Sequence, residues 1–338
     1  MILELGGSWS VRRATGLEPL AAARRRKGWL EARVPGCVHL DLMAAGQIPD
    51  PFYGLNELDV QWVEAEDWLY RRTFQCAAEL KKAERVDLVC EGLDTFATVL
   101  VNGRQAGKAD NMFCRWRWDV TRLIREGKNE LLVHFLSSSG VGRSLMEKHG
   151  ALPAVGEPGR VYVRKAQYAT GWDWGPRLST CGIWRPIYLD AWSGARIADL
   201  HAPVDWSDPK RPVLRLRVEL EALRQLEAAL EAELRDGRTV ARAELGGRLR
   251  AGKNVLRADM SVPRPRLWWP LGHGEQNLYE LRLAGTAGGA ALEGRTLRVG
   301  LRRVELRRQK DRDGESFVLH VNGRPVFCRG ANWAPADS

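Results

Sequence analysis

The chain has 338 residues, 44% hydrophobic and 28% charged, enough for two or three soluble globular domains with sizeable cores. No apolar run approaches the roughly 18 residues of a membrane span, and Met1–Ser10 has neither the basic nor the apolar stretch of a secretory leader, so a cytoplasmic location is expected. The net charge of +10 comes from arginines scattered through alternating patterns, and the one tight cluster, Arg24-Arg25-Arg26-Lys27, is short, which reads as a solvated surface and not as a nucleic-acid footprint.

Six cysteines are present, none in a C-x-x-C pair and none at zinc-finger spacing from a histidine, so buried free thiols are expected and no metal or other cofactor is implied. Tryptophan is unusually frequent, at 14 residues. Indoles fill cores, but exposed ones also stack on the apolar faces of sugar rings, and composition does not separate the two uses.

Strand signals dominate in chain order. Val86–Cys90 alternates, and Thr95–Val101 is a β-branched and apolar run. It ends in Asn102-Gly103, the dipeptide best suited to a type I′ hairpin turn. Leu131–Leu136 forms the next strand. The stretch Gly140–Gly159, with five glycines and two prolines, reads as a long loop. Tyr162-Val163 and Ile187–Leu189 read as short strands, and a break falls near Ser193-Gly194.

After that break Leu214–Leu220 alternates strictly, as a half-buried strand does. Glu219–Leu234 is ambiguous, because Leu223, Leu226, Leu230 and Leu234 sit at helical spacing, but the turn signal Asp236-Gly237 favours strands. Val255–Val262, Leu278–Leu283 and Thr296–Val304 bring the total to about seven strands in roughly 110 residues, the spacing of an immunoglobulin-like sandwich. Val321-Asn322-Gly323-Arg324 repeats the earlier hairpin signal.

Four ordered segments resemble the β-mannosidases of glycoside hydrolase family 2. They are Glu91–Ala97 with Val101-Asn102-Gly103 and Asn111-Met112-Phe113; Gln167-Tyr168 with Gly171-Trp172-Asp173-Trp174-Gly175-Pro176-Arg177-Leu178 and Gly182–Pro186; Leu267–Gly272 with Gln276–Tyr279; and Arg329–Trp333 with Pro335–Ser338. The Gly-Trp-Asp-Trp-Gly-Pro string distinguishes β-mannosidases from the β-galactosidase and β-glucuronidase relatives. Relatives often place an aromatic residue just ahead of it, where this chain has Thr170.

The resemblance implies a mainly β protein: a jelly-roll (galactose-binding-like) sandwich over 1–193, an immunoglobulin-like β-sandwich over 194–303, and, over 304–338, a linker and the first strand of a truncated (β/α)8 barrel. Trp268-Trp269-Pro270 is expected to pack the second domain against its neighbours.

A carboxylate between two indoles, flanked by glycines and a proline, forms a stiff loop that presents one acceptor among flat apolar faces, which suits a pyranose. In the family this loop reaches the active site, implying that Asp173 contacts the sugar and that Trp172 and Trp174 shape the pocket. The competing reading is a Trp-rich core corner with Asp173 as a turn or cap residue. By the same resemblance Asn332 and Trp333, at the start of the barrel, are pocket residues, whereas without a barrel to line they are expected to be disordered or packed on the sandwich. Asn102 is read as a turn residue.

The family hydrolyses by retention, with a Glu acid/base and a Glu nucleophile roughly 5–5.5 Å apart. The acid/base belongs to an Asn-Glu pair beyond the Asn-Trp segment, so no catalytic residue is assigned here. Asn56-Glu57 and Asn129-Glu130 are decoys by position. The expected partner is a β-mannoside or manno-oligosaccharide, not nucleic acid or a membrane, with a homodimer in the full-length form. The alternative is a stand-alone carbohydrate-binding module.

Overall fold

A computed structural model describes residues 1–335, which divide into two units, 1–192 with 333–335 and 193–332. The first unit contains β1 (Ile2–Glu4), β2 (Gly7–Arg13), β3 (Leu30–Val34), β4 (Trp68–Cys76), β5 (Arg85–Cys90), β6 (Ala97–Val101), β7 (Arg104–Ala109), β8 (Trp116–Asp119), β9 (Gly127–Phe135) and β10 (Ile187–Trp192). Six strands pair in the order β3-β2-β4-β9-β6-β7, and four in the order β1-β10-β5-β8. All pairings are antiparallel.

The two sheets share one core. Val11, Trp68, Tyr70, Val99, Val133 and Phe135 from the larger sheet join Leu88, Ile187 and Leu189 from the smaller, and each such side chain contributes about 1.5–3 kcal/mol by leaving water. Tyr70 and Phe135 meet edge to face, with centroids 5.7 Å apart. The Asn102-Gly103 turn joins β6 to β7, with φ of 50° and 78°.

β5 departs from half-burial: Asp87 is 0% exposed. Its carboxylate accepts from Arg85 Nε at 2.8 Å, Arg117 Nη1 at 3.0 Å and Trp192 Nε1 at 2.9 Å. Full satisfaction is what makes a buried carboxylate tolerable.

The Gly140–Gly159 loop expected from its glycines is a helix in its first half, Ser138–His149, and irregular over 150–157. Ser137 caps it, its hydroxyl accepting from the Gly140 N–H at 2.9 Å. At two of the five glycines the signal marks a contact: a Cβ on Gly142 would lie 2.7 Å from the carbonyl oxygen of Gly159, and one on Gly159 2.7 Å from the carbonyl carbon of Gly142. Two backbones touch there because neither carries a side chain. Tyr162-Val163 is likewise no strand. Pro158–Tyr162 is a 3-10 turn, with Val163 closing it.

The second unit contains β11 (Ala195–His201), β12 (Val204–Asp205), β13 (Val213–Ala222), β14 (Leu226–Asp236), β15 (Arg238–Leu249), β16 (Gly252–Ser261), β17 (Tyr279–Ala287), β18 (Ala290–Ala291) and β19 (Arg295–Val299). One sheet runs β11-β13-β12, with β16 also on β13, and the other β15-β14-β17-β18, with β19 also on β17. Leu214, Leu216, Val218 and Leu220 pack in one core with Leu230, Leu234, Leu281 and Leu283.

The run Thr296–Val304 breaks at Gly300, where an added Cβ would meet the Trp268 ring at 3.0 Å. β20 (Val304–Arg307), β21 (Val318–Val321) and β22 (Arg324–Val326) then form a separate antiparallel sheet. The indoles of Trp268 and Trp269 are half-buried within this unit, under Arg302 and Arg324 respectively.

Residues 327–335 hold no strand. A barrel strand is made by ladder partners on its flanks, and no described strand pairs with this stretch. Ala336, Asp337 and Ser338 lie outside the described residues. The cysteines are free, but not all are buried as expected: Cys114 and Cys328 are exposed. No helix among the described residues is long and apolar enough to cross a membrane.

Candidate sugar-contact loop

The string Gly171–Pro176 folds into a narrow loop. Gly171 takes φ 96°, a conformation that favours glycine, and ends the 3-10 turn Gln167–Thr170. Trp172 and Gly175 bridge across the loop, with the Gly175 N–H 3.5 Å from the Trp172 carbonyl.

Both indoles protrude: Trp172 is 44% and Trp174 43% exposed, which is not the packing of a core corner. Asp173 is exposed between them. Its carboxylate makes no hydrogen bond or ion pair with a described residue, whereas a turn or cap aspartate would hold a backbone N–H. The loop therefore carries one exposed, unengaged carboxylate flanked in sequence by two protruding indoles.

Each side of the loop is braced. Trp174 packs at 43° on Tyr168, with centroids 5.7 Å apart, and Trp172 lies on the Arg160 guanidinium. Beyond the loop, Arg177 pairs with Glu64 and reaches Glu157 at 3.3 Å, while its carbonyl accepts from Gln61 Nε2 at 2.9 Å. The hydrogen bond to Glu64 chiefly raises the Arg177 pKa. Sequence reasoning passed over Arg160, Glu64 and Glu157. Arg177 was quoted only as part of the motif.

The first unit also holds buried polar groups. Lys165 forms an ion pair with Asp94, donates to the Thr180 carbonyl at 2.8 Å, and Thr180 Oγ1 donates to Asp94 at 2.9 Å. Asp41 accepts from Tyr70 OH at 2.8 Å and from the Arg33 N–H at 2.9 Å. Burial raises its pKa to about 6. Burial, helped by the Lys165 charge, lowers His39 to about 4.

The remaining candidates fall elsewhere. Asn332 and Trp333 are exposed in the irregular terminal stretch, Trp333 at 86%, Asn332 grouping with the second unit and Trp333 with the first. Asn102 is a joint: its amide donates to the Leu123 carbonyl and to Asn129 Oδ1, both at 2.8 Å, and accepts from the Glu130 N–H at 2.9 Å. That frame also occupies Asn129-Glu130. Glu57 lies in the short helix Asn56–Asp59.

Comparison with known proteins finds relatives over nearly the whole chain. Residues 9–185 match the glycosyl hydrolase 2 galactose-binding domain-like family, and residues 195–302 match glycosyl hydrolases family 2. A β-mannosidase B from Aspergillus terreus is 36% identical over 92% of this chain and 37% of its own length. One from Thermothelomyces thermophilus is 39% identical over 91% of this chain and 36% of its own. The crystal structure of a β-D-mannosidase from Dictyoglomus thermophilum superposes with a TM-score of 0.93 at 41% identity, covering 100% of this chain and 40% of that one. The chain thus spans about two fifths of the length of these relatives. Its two sandwiches and its ordered motifs place it among their homologues: the chain belongs to glycoside hydrolase family 2.

Proposed function

We propose that this chain is the non-catalytic N-terminal portion of a retaining β-mannosidase-type hydrolase, which removes terminal β-D-mannose from non-reducing ends. It supplies one wall of the mannose pocket. Asp173 accepts hydrogen bonds from sugar hydroxyls, Trp172 and Trp174 shape the apolar surround, and Asn332 and Trp333 join the pocket from the terminal segment. The observation that carries this reading is the unengaged, exposed carboxylate between two protruding indoles. The β-mannosidase relatives, which are two and a half times longer or more, support the class of reaction.

Both catalytic glutamates belong to the part of the relatives that this chain does not span. One protonates the glycosidic oxygen, and the other attacks the anomeric carbon to form a covalent glycosyl-enzyme. The 338-residue chain alone is therefore inactive, and release of p-nitrophenol from its β-mannoside by the purified chain refutes this. The role of Asp173 is tested by exchanging the chain for the matching region of the Dictyoglomus enzyme. A hydrogen bond to a charged acceptor contributes about 1.5–3 kcal/mol, so Asp173→Ala lowers kcat/KM by roughly 10- to 100-fold. An unchanged value refutes the contact.

The protruding indoles also favour a second reading, a stand-alone carbohydrate-binding module. It requires calorimetric binding of mannose or manno-oligosaccharide by this chain, abolished in Asp173→Ala. Half a pocket binds too weakly to register.

A further inference from the structure

Behind Trp172 lies a side chain that neither the motif nor the sugar contact accounts for. Arg160, on the 3-10 turn Pro158–Tyr162, is 7% exposed. Its Nε and Nη1 are buried without a hydrogen-bond acceptor among the described residues. Nearby carboxylates are committed elsewhere: Glu157 contacts Arg177 at 3.3 Å, and Asp94 holds Lys165 and Thr180. Nε and Nη1 lie on different edges of the guanidinium, so one bound acceptor does not serve both.

The electron-rich partner Arg160 does have is the Trp172 ring, whose centroid is 4.9 Å from its guanidinium carbon. A desolvated cation over an indole face is strongly held, and a buried cation without compensation is costly. Swinging the indole away would strand the guanidinium. The turn that carries Arg160 is itself fixed. Gly159 abuts Gly142 of the capped helix, and Gln167 Nε2 ties the carbonyls of Arg160, Val163 and Lys165 at 3.2–3.3 Å.

We propose that Arg160 is a positioning residue for the Trp172-Asp173-Trp174 loop: its guanidinium latches the Trp172 indole, and through it sets the orientation of Asp173. The purpose of the latch rests on the sugar-contact reading above, but its geometry does not.

The test is the indole N–H region of the proton–nitrogen correlation spectrum of the whole 338-residue chain, with the Trp172 signal assigned by its loss in Trp172→Phe. In Arg160→Met the Trp172 signal shifts to the position of a free indole while those of Trp9 and Trp68 stay in place. Arg160→Lys, which keeps a cation under the ring, restores part of the shift. An unmoved Trp172 signal in Arg160→Met overturns the proposal. So does a change spread equally over Trp9, Trp68 and Trp172 in both variants, which makes Arg160 a general packing residue. No sugar enters the measurement, so its failure is distinguishable from failure of the Asp173 contact.

Discussion

Replacing Asp41 by Asn should unmask a pH dependence of stability that Asp41 otherwise offsets. Asp41 and His39 both lie at the helix Val38–Ala44 and are 4% and 5% exposed. Around them stand Tyr70, Lys165, Asp94, Cys37 and Cys181. Asp41 titrates at about 6 when folded, against about 3.9 unfolded. Its stabilising contribution is present below about pH 3.9 and is lost as pH rises through 6. His39 titrates at about 4 when folded, against about 6.5 unfolded, so its contribution is present above 6.5 and is lost as pH falls through 4. At about 1.4 kcal/mol per pH unit, each is worth roughly 3 kcal/mol, with opposite sign.

Between about pH 4 and 6 the two cancel in the native chain. Of the pair, Asp41→Asn keeps only the His39 slope, so relative to the native chain its stability rises with pH by roughly 3 kcal/mol from about pH 4 to 6. His39→Asn keeps only the Asp41 slope, so relative to the native chain its stability falls by a similar amount between about pH 4 and 6.5. Lost hydrogen bonds add an offset to either variant but no slope. Urea unfolding followed by tryptophan fluorescence, repeated at half-unit pH steps, reads these slopes. Two variants whose slopes differ from the native chain with the same sign, or not at all, would refute the reasoning.

Two further outcomes depend on the same unit. Asp94→Asn leaves the Lys165 ammonium buried without its carboxylate, and urea unfolding should show a loss of about 3–5 kcal/mol. Gly142→Ala forces a methyl against the Gly159 carbonyl. It should cost about 1–3 kcal/mol and lower the thermal midpoint, more than the same change at Gly330, where an added Cβ meets nothing within 4 Å.

The elements that were legible in the sequence carry their information locally. Asn102-Gly103 and Asn322-Gly323 both adopt positive φ at both positions, which is why the dipeptide alone announces a hairpin. Leu226, Leu230 and Leu234 fit a helix at a spacing of four, but four is also even, so in β14 they share one face with Ala228 and Ala232. The two periodicities coincide, and the following turn decided between them.

What stayed hidden depends on distant partners. Gly142 of Ser138–His149 looked like a loop residue because its function, contact with Gly159, is visible only once the chain has folded back. Arg160 sits in a stretch without pattern, and its burial follows from that same contact. At the candidate site the motif located Asp173 and its two indoles. Their protrusion, and the absence of a partner for the carboxylate among the described residues, came from the structure alone.

The two Asn-Gly turns have a consequence beyond hairpin geometry. Asp-Gly or Gly-Gly would reverse the chain as well, but in each turn the amide works at both ends. Asn102 donates to Leu123 and accepts from Glu130. Asn322 donates to the Trp268 carbonyl and accepts from the Arg303 N–H, each at 3.0 Å. An aspartate could only accept there, and a glycine could do neither. The shortest-range signal in the sequence thus selects its residue for a cross-tie to backbone as far as 54 positions away. Homologues that substitute another turn-former at either position must find another fastening for the neighbouring strands.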